Sequence, residues 1–585
     1  MKIKVTDLIA DFFKKKNINQ VFGVTGGAAV HFFDSFQKYK YKIIFTHHEQ
    51  TASFAVSSYY KTFNKVAICS ATTGPGATNA ITGLAAAWQD SVPSIFIVGQ
   101  ARSTQLSRDT KTRQVGTQEI DTINIVKSIT KFATTIKKTD DLNHVLQKAY
   151  EEATSNRPGP VWIEIPIDIQ ISELNLKKII KRNNNNLNKK ISIYTKKKLL
   201  SLNKLILKSK KPVIVAGNGI ITSKSTSIFK KFVNHYKIPY VCTWLGSNLS
   251  KVNNILYCGR LGISGQRGAN ILVHNSDLVL SLGSHLCFPQ TGNVKSFSPN
   301  SKKILVDIDK KEFLNSKIKF DQFINLDLNL FFNQIIKNKN PKKFFFNNQS
   351  LNKLKQLNEI DKSHLANNKK INQYHFIDCL NRISKGNENY VIDGGGINVY
   401  VAYQGLKLKK KQKIIHTASI CSMGSGLPES IGSGLNDQNV ICLIGDGSLM
   451  FNMQELQTIK TNKCNIKIIV FNNNGYVSIR DTQREFLKSN FLGSSIKGGV
   501  EVTKLKKIAK TFDYNYIYLK DKNKIDQTLN EFVKMTKYTI LEVFVDPNQK
   551  IAPKQIYKKS NQGMAIPSGL DNMYPYIDYK KNIKF

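Results

Sequence analysis

Residues 439–475 limit the fold more than any other stretch of the chain. They hold two short apolar runs, Asn439-Val-Ile-Cys-Leu-Ile444 and Ile466-Lys-Ile-Ile-Val-Phe471, each closed by a polar, glycine-bearing turn. Runs this short and this rich in β-branched residues read as strands of a buried parallel sheet. The segment between them predicts a helix over 449–460, so both strands leave the sheet at the same carboxyl edge. The first ends in Gly445-Asp446-Gly447-Ser448 and the second in Asn472-Asn473-Asn474-Gly475. Gly445 and Gly447 let the backbone turn sharply and approach a ligand. A carboxylate (Asp446), an amide oxygen (Asn473) and a backbone carbonyl (Gly475) meeting at one sheet edge suit Mg²⁺, which prefers hard oxygen ligands and shares them with phosphates. Taken alone, Gly-Asp-Gly has a plainer reading, an Asp capping the next helix. The correctly placed asparagine run weighs against it.

The same alternation recurs along the chain and predicts three α/β domains built on doubly wound parallel sheets. Residues 1–175 form the first, with strands expected near 20–24, 42–46, 65–70 and 94–98. A central domain is expected over 191–345 and a third over 370–550. Two lysine- and asparagine-rich stretches, 176–200 and 336–370, read as connections, and 551–585 as an irregular tail. At 585 residues the chain is long enough for three substantial cores.

Composition excludes several classes. No apolar run reaches the roughly 18 residues needed to span a bilayer. The amphipathic N-terminus carries Asp7 and Asp11, unlike a signal peptide, so no membrane partner and a cytoplasmic location are expected. The eight cysteines include no Cys-x-x-Cys pair and read as buried thiols. The net charge of +45 raises a nucleic-acid reading. Lysine rises here together with asparagine and isoleucine, as in Lys181-Arg-Asn-Asn-Asn-Asn-Leu-Asn-Lys-Lys190, the pattern of an A/T-rich genome. No aromatic-interleaved basic stripe accompanies it, so no nucleic-acid partner is expected.

The 446–475 unit resembles the diphosphate-anchoring motif of thiamine-diphosphate (ThDP) enzymes, and further segments extend the resemblance, in the family's order, over residues 1–550. It is strongest to acetolactate synthase large subunits and their relatives. The resemblance implies a pyrimidine-binding first domain, a Rossmann-like central domain and a diphosphate-binding third domain. Asp446, Asn473 and Gly475 would hold Mg²⁺, and Gly445, Gly447 and Ser448 would face the diphosphate. Glu49, in Phe45-Thr-His-His-Glu-Gln50, matches the glutamate that activates the cofactor by hydrogen bonding to its pyrimidine. Its plain alternative is a surface glutamate opening a helix. Met423 matches the apolar wedge that bends the cofactor, the Cys421 carbonyl the acceptor for its amine, and Asp393-Gly394-Gly395-Gly396 a loop of amides on the diphosphate. Thr73-Gly-Pro-Gly-Ala-Thr-Asn79 and Gly26-Gly27-Ala28 match turns beside the cofactor, with Asn79, Gly26 and Gly27 as contacts. Gln118 matches an active-site glutamine. Because the cofactor bridges first and third domains, usually of different subunits, the resemblance implies a homodimer or tetramer. It does not decide whether a regulatory small subunit takes part.

Three departures bear on the reaction. Within Gly283-Ser-His-Leu-Cys-Phe-Pro-Gln-Thr-Gly292, His285 and Pro289 stand where acetolactate synthases have arginines, near FAD and near the acceptor's carboxylate. Thr482 replaces a tryptophan of the acceptor pocket. Proline cannot act as a bidentate carboxylate clamp. Arg480 reads either as a substrate-side cation or as a solvent-exposed basic residue. The activity implied is decarboxylation of a 2-oxo acid donor such as pyruvate and transfer of its C2 unit to a carbonyl acceptor. The departures favour an aldehyde or ketone acceptor, an activated keto-sugar among them, as in relatives found with sugar and surface-polysaccharide biosynthesis. Acetolactate synthesis and a non-catalytic scaffold are the rival readings. FAD is left open: Gly217-Asn-Gly219, Gly265-Gln-Arg-Gly268 and Asp307-Ile-Asp309 resemble its contacts, while His285 lacks the expected arginine.

Overall fold

The computed structural model describes residues 2–175, 192–337 (except 252 and 254), 341, 344, 348–360, 364, 370–559, 565–581 and 583. Three six-stranded parallel sheets carry the chain. The first holds β1 (Gln20–Gly23), β2 (Lys42–Phe45), β3 (Ile68–Ala71), β4 (Ser94–Gln100), β5 (Phe132–Thr135) and β6 (Pro160–Pro166), in the order β2-β1-β3-β4-β6-β5. The second holds β7 (Pro212–Ala216), β8 (Tyr240–Cys242), β9 (Tyr257–Arg260), β10 (Leu278–Leu282), β11 (Lys302–Asp307) and β12 (Gln322–Asn325). Its order, β9-β8-β7-β10-β11-β12, is that of dinucleotide-binding sheets. The third holds β13 (Asn389–Ile392), β14 (Ile414–Ile415), β15 (Val440–Gly445), β16 (Ile466–Asn472), β17 (Asn515–Leu519) and β18 (Thr539–Phe544). Its order, β14-β13-β15-β16-β18-β17, repeats the connectivity of the first sheet. The expected fold class is the one found.

Central strands are buried along their length, as the unbroken β-branched runs require. The first and third domains share one hydrophobic core. Helix α1 (Glu49–Phe63) contributes Ala52, Ala55, Val56 and Tyr59 to it. Opposite stand Leu427 and Ile431 of a helix over Gly426–Ser433 in the third domain. A Cβ on Gly432 would come within 2.1 Å of the Ala55 carbonyl oxygen, so the two helices touch backbone to backbone.

Three expectations are corrected. No single helix runs over 449–460: a short turn, Asp446–Leu449, is followed by a break and then Glu455–Thr461. Buried Asn452 causes the break, because its amide donates to the Gly424 carbonyl at 3.0 Å and to Gln50 Oε1 at 3.3 Å. The 336–370 connection contains a helix, Asn348–Gln356, whose Leu351 and Leu354 are buried on the central domain. Spaced three apart, they form an apolar stripe masked by the lysine-rich composition. The tail is not simply irregular. Lys554–Gln555 pairs with Met573–Tyr574, and Tyr557–Lys559 with Ala565–Pro567, both antiparallel. Leu570, Tyr579 and Ile583 join the central core, while 176–191 of the first connection lies outside the described residues. Among the described residues no helix is long and apolar enough to cross a membrane.

Candidate active site

In the third sheet the chain runs from β13 outward to β14, then back across β13 to β15, so the turns after β13 and β15 diverge from a switch point where such sheets bind ligands. Pairing of Gly445 with Phe471 brings the turns after β15 and β16 side by side. Asp446, 1% exposed, accepts from the Gly475 amide through Oδ2 at 3.1 Å. Its Oδ1 has no partner, and neither has Oδ1 of Asn473, 6% exposed. Two buried oxygens without donors on adjacent turns are costly unless a cation or donor meets them. Burial pushes the Asp446 carboxyl up to about 6, against the backbone amides of Gly475 and Gly447. A divalent cation reverses that direction. The donor set therefore fits Mg²⁺. Among the described residues no group of three or more His, Cys, Asp or Glu side chains could hold a metal; the Asp446–Asn473 pair offers one carboxylate and neutral oxygens.

The glycine loop 393–396 lies against the 421–423 segment. A Cβ on Gly394 would stand 2.5 Å from the Cys421 carbonyl carbon, and one on Gly395 2.4 Å from Ser448 Oγ and 2.8 Å from Met423 Cγ. Gly396 has a positive φ of 72°, and a Cβ there would stand 3.9 Å from Ser478 Oγ. Fully buried Asp393 joins the segments, accepting from the Gly395 amide at 2.9 Å and the Gly426 amide at 3.0 Å. Burial raises its pKa to about 6. Met423 is half-buried, and Ser448 is buried beside Gly447. Cys421 adopts φ 46°. That left-handed conformation favours glycine, and cysteine holds it with some strain.

Glu49 opens α1, where the His48 side chain caps the helix by accepting from the Gln50 amide at 3.1 Å. Its Oε2 accepts from Asn79 Nδ2 at 3.1 Å. Asn79, expected as a cofactor contact, thus orients the carboxylate. Gly26 packs on Thr72, and Gly27 faces open space. Gln118 lies exposed at φ 56°, its carbonyl accepting from Thr73 Oγ1 at 3.3 Å. A Cβ on Gly74 would meet that carbonyl at 2.5 Å, and Gly74 has φ 63°, so the turn needs glycine there. Through Gln50, Asn452 and Gly424 the glutamate end is tied to the Met423 segment within one chain. Asn452 was not legible as a site residue, since nothing in its sequence neighbourhood marks its partners.

The solvent-exposed reading of Arg480 is corrected. Only 6% exposed, its Nη1 donates to the carbonyls of Asn474 (2.9 Å) and Ser494 (2.8 Å), and Nη2 to that of Asn473 (2.8 Å). It buttresses the turn that carries Asn473 and Asn474. Thr482 is exposed on the helix Val477–Phe486 and bonds back to the Ser478 carbonyl at 3.2 Å.

A cavity of about 420 Å³ opens where the domains meet. Gly219, Gly283 and Asp307 at the ends of β7, β10 and β11 line it, with Arg157 of the first domain and Tyr400 and Cys421 of the third. Its place at the switch point of the central sheet suits a nucleoside. The donor set does not suit the diphosphate of FAD. Arg157 is already paired with Glu312 and, at 3.2 Å, with Asp309. His285 lies 4.0 Å from Glu312, and burial depresses its pKa. Glycines 217 and 219 are explained by their packing on the Gly283 turn.

Sheet order, cation-ready turns and glycine loop together define an enzyme of the two-domain thiamine kind, and the chain belongs to the thiamine pyrophosphate enzymes. Its residues 3–125 match the N-terminal TPP binding domain of that family, 200–335 the central domain and 393–543 the C-terminal TPP binding domain. Within it the chain is of the acetolactate synthase type. It is 30% identical over 488 residues to the acetolactate synthase large subunit of Lactococcus lactis subsp. lactis (strain IL1403), covering 82% of each chain. It is also similar to the probable acetolactate synthase large subunit of Methanococcus aeolicus, 29% identical over 575 residues, 92% of this chain and 91% of that one. The acetolactate synthase isozyme 2 large subunit of Escherichia coli (strain K12) is 26% identical over 549 residues, 92% and 95% of the two chains. The protein is a ThDP-dependent enzyme, which sets aside the scaffold reading.

Proposed function

We propose that the protein is a ThDP- and Mg²⁺-dependent carboligase, taking a C2 unit from a 2-oxo acid such as pyruvate and transferring it to a carbonyl acceptor, with a keto-sugar as the acceptor class. The pair of donor-less buried oxygens, Asp446 Oδ1 and Asn473 Oδ1, carries the reading. In it Asp446, Asn473 and the Gly475 carbonyl hold the metal, and the turns at 394–396 and 445–448 hold the diphosphate. Bound there, ThDP supplies the electron sink that a 2-oxo acid needs to lose CO₂. The chain's own contributions are electrostatic and positional. Glu49, fixed by Asn79, shares a proton with the cofactor's pyrimidine. Met423 shapes the cofactor's bend, Cys421 offers its carbonyl, and Gln118 stands on the rim formed by Thr73 and Gly74. Thr482 remains a substrate-side position.

The acceptor class rests on charge. A second 2-oxo acid brings a carboxylate, and an unpaired carboxylate in a partly dry site costs a few kcal/mol, on the order of 1–3. Pro289 and neutral His285 on the cavity wall offer it no cation, and Arg480 is engaged elsewhere. Acetolactate synthesis is the second reading, favoured by the names of the relatives. FAD has no step in either. A homodimer or tetramer accompanies the reading. Large apolar side chains exposed in the 479–496 stretch, Ile479, Phe486, Leu487, Leu492 and Ile496, support burial against another subunit. Isotope-labelled pyruvate, supplied alone and with keto-sugar acceptors and resolved by mass spectrometry, tests the choice. The expected product joins the C2 unit to the sugar; rapid acetolactate formation from pyruvate alone would replace this reading with the second.

A further inference from the structure

Beside the 420 Å³ cavity lies a smaller one of about 230 Å³. The two share walls at Asp90, Ser91, Asn218, Thr222, Trp244 and Leu245, so they adjoin. Their charges differ. Asp307, Glu312 and Asp327 join Asp90 on the larger cavity, against a single arginine that is already paired. Lys61, Lys224 and Lys413 line the smaller one, where Asp90 is the only carboxylate. Asp90 is itself ion-paired with Lys61 at 2.9 Å.

That leaves Lys413 without a counter-charge among the described residues. Its Nζ donates to the Thr62 carbonyl at 2.5 Å, and burial alone depresses its pKa. Lys251 stands behind it, donating to the Gln412 carbonyl, and is held down to about 8 by burial and by the charge of Lys413. Two desolvated ammonium groups that repel each other, each bonded to a backbone carbonyl, are unfavourable until an anion joins them. A second observation points the same way. His416, 3% exposed and on the lining of this cavity, has no side-chain partner at either ring nitrogen, only the Trp244 backbone lying near enough to bond the ring. A buried imidazole with a ring nitrogen left unpartnered is a position for a ligand's polar group.

We propose that the smaller cavity is an anion subsite that receives the phosphate group of a phosphorylated carbonyl acceptor, whose uncharged body lies in the larger cavity and extends to Cys421. This rests on the carboligase reading and gives its acceptor a chemical class, an organic phosphate. Lys413 and Lys224 supply the charge, His416 a neutral hydrogen bond, and the acidic wall of the larger cavity suits hydroxyl groups more than a second anion.

The test uses the full-length protein loaded with ThDP and Mg²⁺, so that the cofactor's own diphosphate site is filled. Calorimetry with inorganic phosphate, ribose 5-phosphate and ribose separates the phosphate from the sugar. We expect both phosphates to bind and ribose not to bind. Ribose 5-phosphate should bind about tenfold or more weakly to Lys413→Gln and to Lys224→Gln, as befits loss of one charged hydrogen bond. Lys224 is exposed, so its variant decides the matter should Lys413→Gln not fold. Absence of phosphate binding at millimolar probe, or wild-type affinity in the folded variants, overturns the subsite. Turnover of labelled pyruvate by the same preparation reports on the carboligase reading separately, so either can fail alone.

Discussion

At the scale of single residues, the proposed chemistry rests on Glu49 and on Asp446 and Asn473. Replacing Glu49 with Gln removes a proton site but little cofactor contact. Turnover should fall about 10²–10⁴-fold while ThDP still binds; steady-state kinetics within about threefold of wild type would remove Glu49 from the mechanism. Cys421 gives a prediction of another kind. At φ 46° a β-branched side chain is strained, so Cys421→Val should be less stable than Cys421→Gly by about 1–3 kcal/mol in denaturant unfolding. Equal stabilities would show that the carbonyl is presented without strain. Asp446 and Asn473 were legible because each ends an apolar run whose strand character is unambiguous. Arg480 was not: its three carbonyl partners lie at 473, 474 and 494, and only closure of that loop around the guanidinium brings them together.

At the scale of elements, the contact of α1 with the helix Gly426–Ser433 buries a charged group. Glu429, fully buried, accepts from Thr417 Oγ1 at 2.8 Å and lies 3.6 Å from Lys61. Burial raises its pKa from 4.5 to about 7, with Lys61 opposing. The folded state therefore keeps this proton to higher pH than the unfolded chain does. Its contribution to stability is complete below about 4.5 and is lost as pH rises through about 7. Unfolding free energies measured from pH 4.5 to 7.5 should show that fall in wild type and a flatter profile in Glu429→Gln; parallel profiles would contradict the assignment. Strands were readable here and helix breaks were not. The parallel strands announce themselves by unbroken β-branched runs. The interruption before Glu455 depends on Asn452 bonding to Gln50, some 400 positions away in sequence, and the tail's return depends on a central core that no local pattern reveals.

Over the whole molecule, two sheets share one connectivity, a third has the dinucleotide-binding order, and a cavity opens where the three domains meet. Three domains were legible in the sequence, since polar connections separate blocks of strand–helix alternation. The two adjoining cavities were not, because their walls come from segments hundreds of residues apart. The central claim is that this assembly holds ThDP through Mg²⁺ at Asp446 and Asn473, and the direct measurement is a calorimetric titration of ThDP into metal-stripped protein with and without Mg²⁺, repeated on Asp446→Ala. The account predicts tight binding only with Mg²⁺ in wild type, and a sharply raised requirement for both metal and cofactor in the variant. Mg²⁺-independent binding, or a variant indistinguishable from wild type, would contradict it.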